Sequence, residues 1–322
     1  MILATDFKCF VKILFSVCLL FFQRASIFAQ NQKVADSLVK IYQKNKLENS
    51  EKLELLRNLS FNEVNNLELS LKYADELIAL SKLEKNYLYL HRGYYQKGNK
   101  NRLIGDLNKA LNDFFKSAEA ASKAKFITGK GVAYMSIADV YSIMGNANNA
   151  EVYYTKSIDL LRKTKDSIAL ASALLNAGDE YSKNKKFNLA LKHFEEARVI
   201  FDKTNYLIGT GYTLGNIGMV YTKQGDNELG KIYITKAIKI LEKLKDFYAM
   251  SEYLLYMSDI YLTQNDWTTS LRYAKRSLDL AQKYGLKEQI SNSNLKISGL
   301  YQKSGNHKES FTYYKNYIKY RD

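Results

Sequence analysis

The feature that most constrains this chain is a ruler of forty residues. Ser70, Ala110, Ala150, Ala190, Gly230, Ser270 and Ser310 stand forty apart, and every one is small. Four residues further on come Ala74, Phe114, Tyr154, Phe194, Ile234, Ala274 and Tyr314, all apolar or aromatic. Nine before the small series are Phe61, Asn101, Tyr141, Tyr181, Tyr221, Tyr261 and Tyr301. Three before those are Asn58, Gly98, Ala138, Gly178, Gly218, Ser258 and Ser298. Seven units in one register, with no insertion, imply one supersecondary unit used seven times. Such a chain buries its apolar faces by stacking unit on unit, which makes a solenoid.

Each unit reads as two helices. In Gly230, Tyr233, Ile234, Ala237, Ile238 and Leu241 the small or apolar residues recur at three and four, one face of a helix. Gly145-Asn146, Gly225-Asp226 and Gly305-Asn306 supply a left-handed residue followed by a helix cap. Asn265-Asp266 and Asn65-Asn66 do the same without glycine. Lys125, Lys165 and Lys245 near second-helix ends suit the negative end of the helix dipole. The small positions, Gly178 and Gly218 included, predict a close approach of helices with large side chains opposite. Composition agrees with an all-α chain. There is no proline and there are only 16 glycines in 322 residues, too few for the turns of a β-sandwich.

Small–x–x–Tyr in the first helix, then Ala, aromatic and Ala at spacings of four and three in the second, resembles the tetratricopeptide repeat. The stretches nearest to it are 214–221 (LGNIGMVY) and 176–181 (NAGDEY). The resemblance covers about Glu51 to Asp322. It departs in three ways: the period is forty rather than about 34; Tyr94, Tyr134, Leu174, Leu214 and Leu254 replace the usual tryptophan; and no proline follows the second helix. The resemblance implies an all-α, right-handed superhelical solenoid of about seven helix-turn-helix repeats, with units starting near 51, 91, 131, 171, 211, 251 and 291. Residues 30–50 before them hold one helix (Val34, Leu38, Ile41, Tyr42) that caps the array. Long-helix members of the family occur as exported proteins. They also occur as sensory regions of bacterial histidine kinases and helix-turn-helix regulators, which is the alternative reading for this chain.

The N-terminus reads as an export signal. Lys8 and Lys12 precede an apolar run from Ile13 to Phe22, and Ala29 closes a plausible cleavage site. The run is too short to span a bilayer, and nothing after Gln30 approaches that length. Residues 1–29 are therefore expected to be a signal peptide, placing the protein in the periplasm or outside the cell. Cys9 and Cys18, the only cysteines, leave with that segment, so the remaining chain has no thiol chemistry.

The chain is basic, with 48 Lys and Arg against 33 Asp and Glu. The excess sits at the two ends: residues 31–130 carry +6, 131–230 carry 0 and 231–322 carry +7. A nucleic-acid groove would concentrate charge in one stripe with aromatic partners, so a lysine-rich solvated surface is the better reading.

Motifs that carry chemistry are missing. His91, His193 and His307 occupy three different unit positions and read as surface or turn residues rather than metal ligands. Gly209, Gly211 and Gly215 follow no strand and have the wrong spacing for a phosphate loop. No catalytic residue, metal or cofactor is expected. In the resembled fold the first helices line the concave face, which would there bind a protein or peptide. The inward positions are Asn99, Asp139, Asp179, Met219 and Asp259, and one turn further Arg102, Ser142 and Ser182. The aspartates at one ruler position would attract a basic or amide-rich peptide, or else pair with neighbouring side chains. The last helix carries Phe311, Tyr314, Tyr317 and Ile318, a second contact face suited to a partner or to self-association.

Overall fold

The protein is described from a computed structural model, which covers residues 30–44, 47 and 49–321. The expected signal segment 1–29, with Cys9 and Cys18, lies outside the described residues. Those residues form fifteen helices and no strand. They are α1 (Gln32–Gln43), α2 (Asn49–Asn62), α3 (Leu67–Leu83), α4 (Tyr87–Ile104), α5 (Leu107–Lys123), α6 (Ile127–Ile143), α7 (Ala147–Leu161) and α8 (Ser167–Lys183). After these come α9 (Phe187–Lys203), α10 (Leu207–Lys223), α11 (Asn227–Leu244), α12 (Phe247–Thr263), α13 (Trp267–Lys283), α14 (Lys287–Lys303) and α15 (His307–Arg321). The fold is an all-α solenoid of helical hairpins, α2 with α3 and, further along, α6 with α7 through to α14 with α15.

The forty-residue period has a plain local origin. Two helices of 17 residues and two connections of three make up one unit, as in α8 to α10. Nearly every connection is the same turn. Gly105, Gly145, Gly225, Gly285 and Gly305 take the left-handed conformation, and so do Lys85, Lys125, Lys185, Asn205, Lys245 and Asn265, all at intervals of twenty or forty. The residue after each of them donates its N–H five residues back, for example Asp226 to Tyr221 and Asp266 to Tyr261. This is the hydrogen bond of a Schellman cap. Asn66, Asp106, Asn146, Asp226 and Asp266 then accept from the backbone three residues on and start the next helix. The lysines at helix ends thus do more than meet a dipole: Lys125 and Lys245 are themselves the left-handed residues. Lys165, in the connection after α7, is not.

The chain divides into two compact units, up to Lys100 and from Asn101. In the first, α1 packs on α2, and Leu53, Leu56, Leu59, Tyr73 and Leu77 form the core. Tyr42 of α1 donates its hydroxyl to Glu76. Two residues here differ from their sequence reading or their neighbours on the ruler. His91 is buried against Tyr95 rather than at the surface. Its ruler equivalents Gly131, Ala171, Gly211, Ser251 and Ser291 are buried too, and only Glu51 in the first hairpin is exposed, so the position is interior wherever a hairpin precedes it. Lys100 is buried and donates to the Glu63 carbonyl at 3.0 Å, and burial pulls its pKa below the ordinary value.

In the second unit the small series does its expected work. A methyl at Gly178 would lie 2.6 Å from the Phe194 ring, and one at Gly218 2.6 Å from Ile234, so only glycine lets these helices approach. Buried serines turn close approach into hydrogen bonds: Ser157 to the Gly131 carbonyl and Ser277 to the Ser251 carbonyl, a repeated pair. The tyrosine series forms one aromatic rung per hairpin. Tyr141 stacks on Tyr153, Tyr221 on Tyr233, Tyr261 on Tyr273 and Tyr301 on Tyr313, with centroids 5.4–5.7 Å apart. In the remaining hairpin Tyr181 meets His193 instead.

Candidate partner-binding groove

From residue 101 onward, the first helices of adjacent hairpins α6, α8, α10, α12 and α14 touch one another. The second helices touch only first helices. A ribbon bends toward its closer-packed layer, so the first helices line the concave side. The inner face is built from five helices that approach closely because their contact positions carry small or complementary residues. The tightest junction is α10 on α12. Tyr253 lies over Gly215, where even a methyl would sit 2.1 Å from its ring. The Tyr253 hydroxyl donates to Asn216 Oδ1 at 2.9 Å and also meets the Tyr212 carbonyl at 3.1 Å.

The sequence-derived site residues of this unit lie along that layer, but they are not free. Tyr154 and Asn176 both donate to Asp139 Oδ1, at 2.6 and 3.1 Å. Burial pushes the Asp139 carboxyl above its ordinary value, against these two donors and the cations of Arg102 and Lys183. Asp179 pairs with Lys183 at 2.9 Å, and Asp259 pairs with Lys296 of the next hairpin. Ser142 donates to Glu180, and Ser182 accepts from Lys223 at 3.2 Å. Met219 is buried in the core around α10 and α12 and offers little surface. Arg102, half-buried at the end of α4, keeps its Nε buried without a hydrogen-bond partner. Asn99 is half-buried on α4 in the other unit. The second predicted face is on α15, where Phe311 and Tyr314 are exposed and Tyr317 and Ile318 half-buried.

Several inner-face residues escaped the sequence reading. Glu180 shares a ruler position with Val140, Val220, Ile260 and Leu300, as Lys100 does in the first unit, so a charge at a buried register was visible there. Asn176, Lys223 and Lys296 carry no pattern of their own; they matter because they reach across about 37 to 41 residues to the preceding hairpin. Glu252 was also missed. Its side chain reaches solvent, yet desolvation by the surrounding inner face and the carboxylates of Asp179 and Glu288 push it above the ordinary range, only partly offset by Lys223 and Lys183. Tyr256 beside it is pushed up to about 12 by burial and by the carboxylates of Glu252, Asp259 and Asp179. Among the described residues, no group of His, Cys, Asp and Glu is arranged to hold a metal.

Residues 131–203 and 212–243 match family models described as tetratricopeptide repeat. These two segments are tetratricopeptide repeats. No curated protein matches it in sequence. Solved tetratricopeptide-like structures resemble it in fold. RapI in its apo form is 14% identical, with a TM-score of 0.70 over 84% of this chain and 97% of that one. A Rap protein complexed with Competence and Sporulation Factor is 13% identical, with a TM-score of 0.68 over 90% of this chain and 80% of that one. Aspartyl phosphate phosphatase F from Bacillus subtilis is 15% identical, with a TM-score of 0.59 over 90% of each. At such identities the likeness is one of fold. No described helix is long and apolar enough to cross a membrane.

Proposed function

We propose that this protein is an exported, non-enzymatic scaffold that binds a protein or peptide segment along the inner face of α6 to α14. The observation that carries the reading is the convergence of that face. The first helices α6, α8, α10, α12 and α14 touch one another in turn, while the second helices touch only first helices. A surface that curls in this way meets an extended partner from several helices at once. The fold likeness to a Rap protein complexed with Competence and Sporulation Factor supports a partner-binding role. The chemistry in the name of aspartyl phosphate phosphatase F is not carried over, since that likeness is of fold alone.

A photo-crosslinking side chain placed at Lys223, on the inner layer, tests the reading against one at Lys239 on the outer helix α11. In intact cells the inner position is expected to trap one dominant partner and the outer position none. Dominant trapping from Lys239 would overturn the groove. Export is tested separately: fractionation and N-terminal sequencing should give an envelope protein beginning at Gln30. An uncleaved cytoplasmic chain would reject that part. The exposed Phe311 and Tyr314 favour a second contact, with another copy of the chain. Light scattering should then show a dimer that Tyr314→Asp converts to monomer, and an unchanged mass would remove this contact.

A further inference from the structure

A cleft of about 470 Å³ opens on the inner face between α12 and α14. Its floor is aliphatic: Leu255 and Leu262 are half-buried and Leu295 is exposed. A glycine lines this cleft. At the ruler position held by Asp139, Asp179, Met219 and Asp259, α14 has Gly299, and a methyl built there would meet nothing within 4 Å. Gly299 has open space over it, whereas Gly211, Gly215 and Gly218 are all filled from a neighbouring helix.

The charged rim is partnered except at its two ends, Glu252 at the start of α12 and the exposed Lys303 at the end of α14. Asp259 is neutralised by Lys296, Asp179 by Lys183, and Glu288 accepts the Tyr248 hydroxyl at 2.5 Å. Glu252 has neither a hydrogen bond nor an ion pair among the described residues, and it faces the carboxylates of Asp179 and Glu288. Lys223 and Lys183 offset that negative potential only in part, which leaves the Glu252 end of an apolar trough the setting that draws in a cation. Leu255 lies one turn along α12 from Glu252, about 5 Å. In an extended peptide, side chains on one face recur every second residue, about 6.6 Å.

We infer that this cleft takes an extended peptide in which an aliphatic side chain seats on Leu255, Leu262 and Leu295 while a lysine or arginine two positions away meets Glu252. The inference rests on the inner face being a binding groove and specifies what it binds. Two variants test it without threatening the fold. Gly299→Leu fills the cleft at a helical site with open space and a better helix former. Glu252→Lys reverses an exposed charge that has no partner to lose.

The probe is a phage-displayed library of random octapeptides selected on the immobilised protein. Enriched peptides are expected to share an aliphatic residue with Lys or Arg two positions away. Gly299→Leu should lower recovery of those peptides at least tenfold, with an unchanged helical circular dichroism spectrum. Glu252→Lys should shift the preferred charge from basic to acidic, and Glu252→Gln should weaken the best peptide about three- to fivefold, as loss of an exposed ion pair does. Enrichment of acidic or wholly polar peptides by the wild type, or the same motif recovered on Gly299→Leu, overturns the inference and leaves the groove standing. Failure of the wild type to enrich any peptide counts against the groove itself.

Discussion

The hairpin α8/α9 and the hairpin α14/α15 share a register yet are built differently. At one ruler position α9 has Phe194 and α15 has Tyr314; Phe194 is wholly buried and Tyr314 is 45% exposed. At another, α8 has Leu174, buried in an apolar cluster, and α14 has Asn294, equally buried, whose Oδ1 has no hydrogen-bond partner. Helix α9 is clasped by α8 and by α10, whereas α15 touches α14 alone among the described helices and buries no residue. The comparison teaches that burial in a solenoid is conferred by neighbours. The same motif position is core or surface according to whether a following helix covers it.

The sharpest way to break that comparison is at the glycines. Gly215→Ala and Gly178→Ala should each destabilise the second unit by about 3 kcal/mol or more, because Tyr253 or Phe194 must leave its seat. Urea unfolding followed by circular dichroism measures this, and a loss below about 1 kcal/mol would mean the helices can separate freely. Next comes the paired substitution at one register. Phe194→Ala should cost about 3–5 kcal/mol, Tyr314→Ala no more than about 0.5. Equal costs would refute the neighbour argument.

Asn294→Leu restores the residue type of Leu174, Leu214 and Leu254 and removes a buried unsatisfied oxygen. It should stabilise α14 and α15 by about 1–2 kcal/mol, read as slower amide exchange in α15. Unchanged or faster exchange would show that the polar core of that hairpin serves a purpose other than stability.

The fourth prediction concerns pH. Asp139 holds its proton more tightly in the folded protein than its ordinary value of 3.8. Its ionised form therefore costs stability at neutral pH, and the cost fades as the pH falls through the interval above 3.8. Asp139→Asn should abolish that contribution, so the stability difference between variant and wild type narrows as the pH falls there. A difference constant with pH would remove the inferred burial effect.

The smallest effect lies in the turns. Lys185→Gly and Lys245→Gly relieve a left-handed lysine and should gain about 0.5–1 kcal/mol each, whereas α14/α15, with Gly285 and Gly305, has no such gain to make. Thermal melts that fall instead would show that these lysines contribute contacts outweighing the strain.

The hairpin register, the small-against-large contacts and the caps were legible in the chain, because each depends on residues three to about forty apart that recur on schedule. His91 shows the ruler read too little: its position is interior in every unit after the first, yet as a lone histidine it was placed at the surface. The candidate site was legible only in outline. Asp139, Asp179 and Asp259 do line the inner layer, but whether they were free to bind hung on Asn176, Lys183 and Lys296, none of which stands out in the pattern.

The sequence by itself determined that this protein is a stack of like helical hairpins, since periodic small and aromatic residues can be buried together in no other regular way. Only the tertiary structure decided which inner polar groups are spent on holding hairpins together and which, like Glu252 beside Gly299 in the cleft, make no hydrogen bond or ion pair. The physical reason is that a charge is neutralised by whatever lies within a few ångströms, and along this solenoid that neighbour comes from the adjoining repeat.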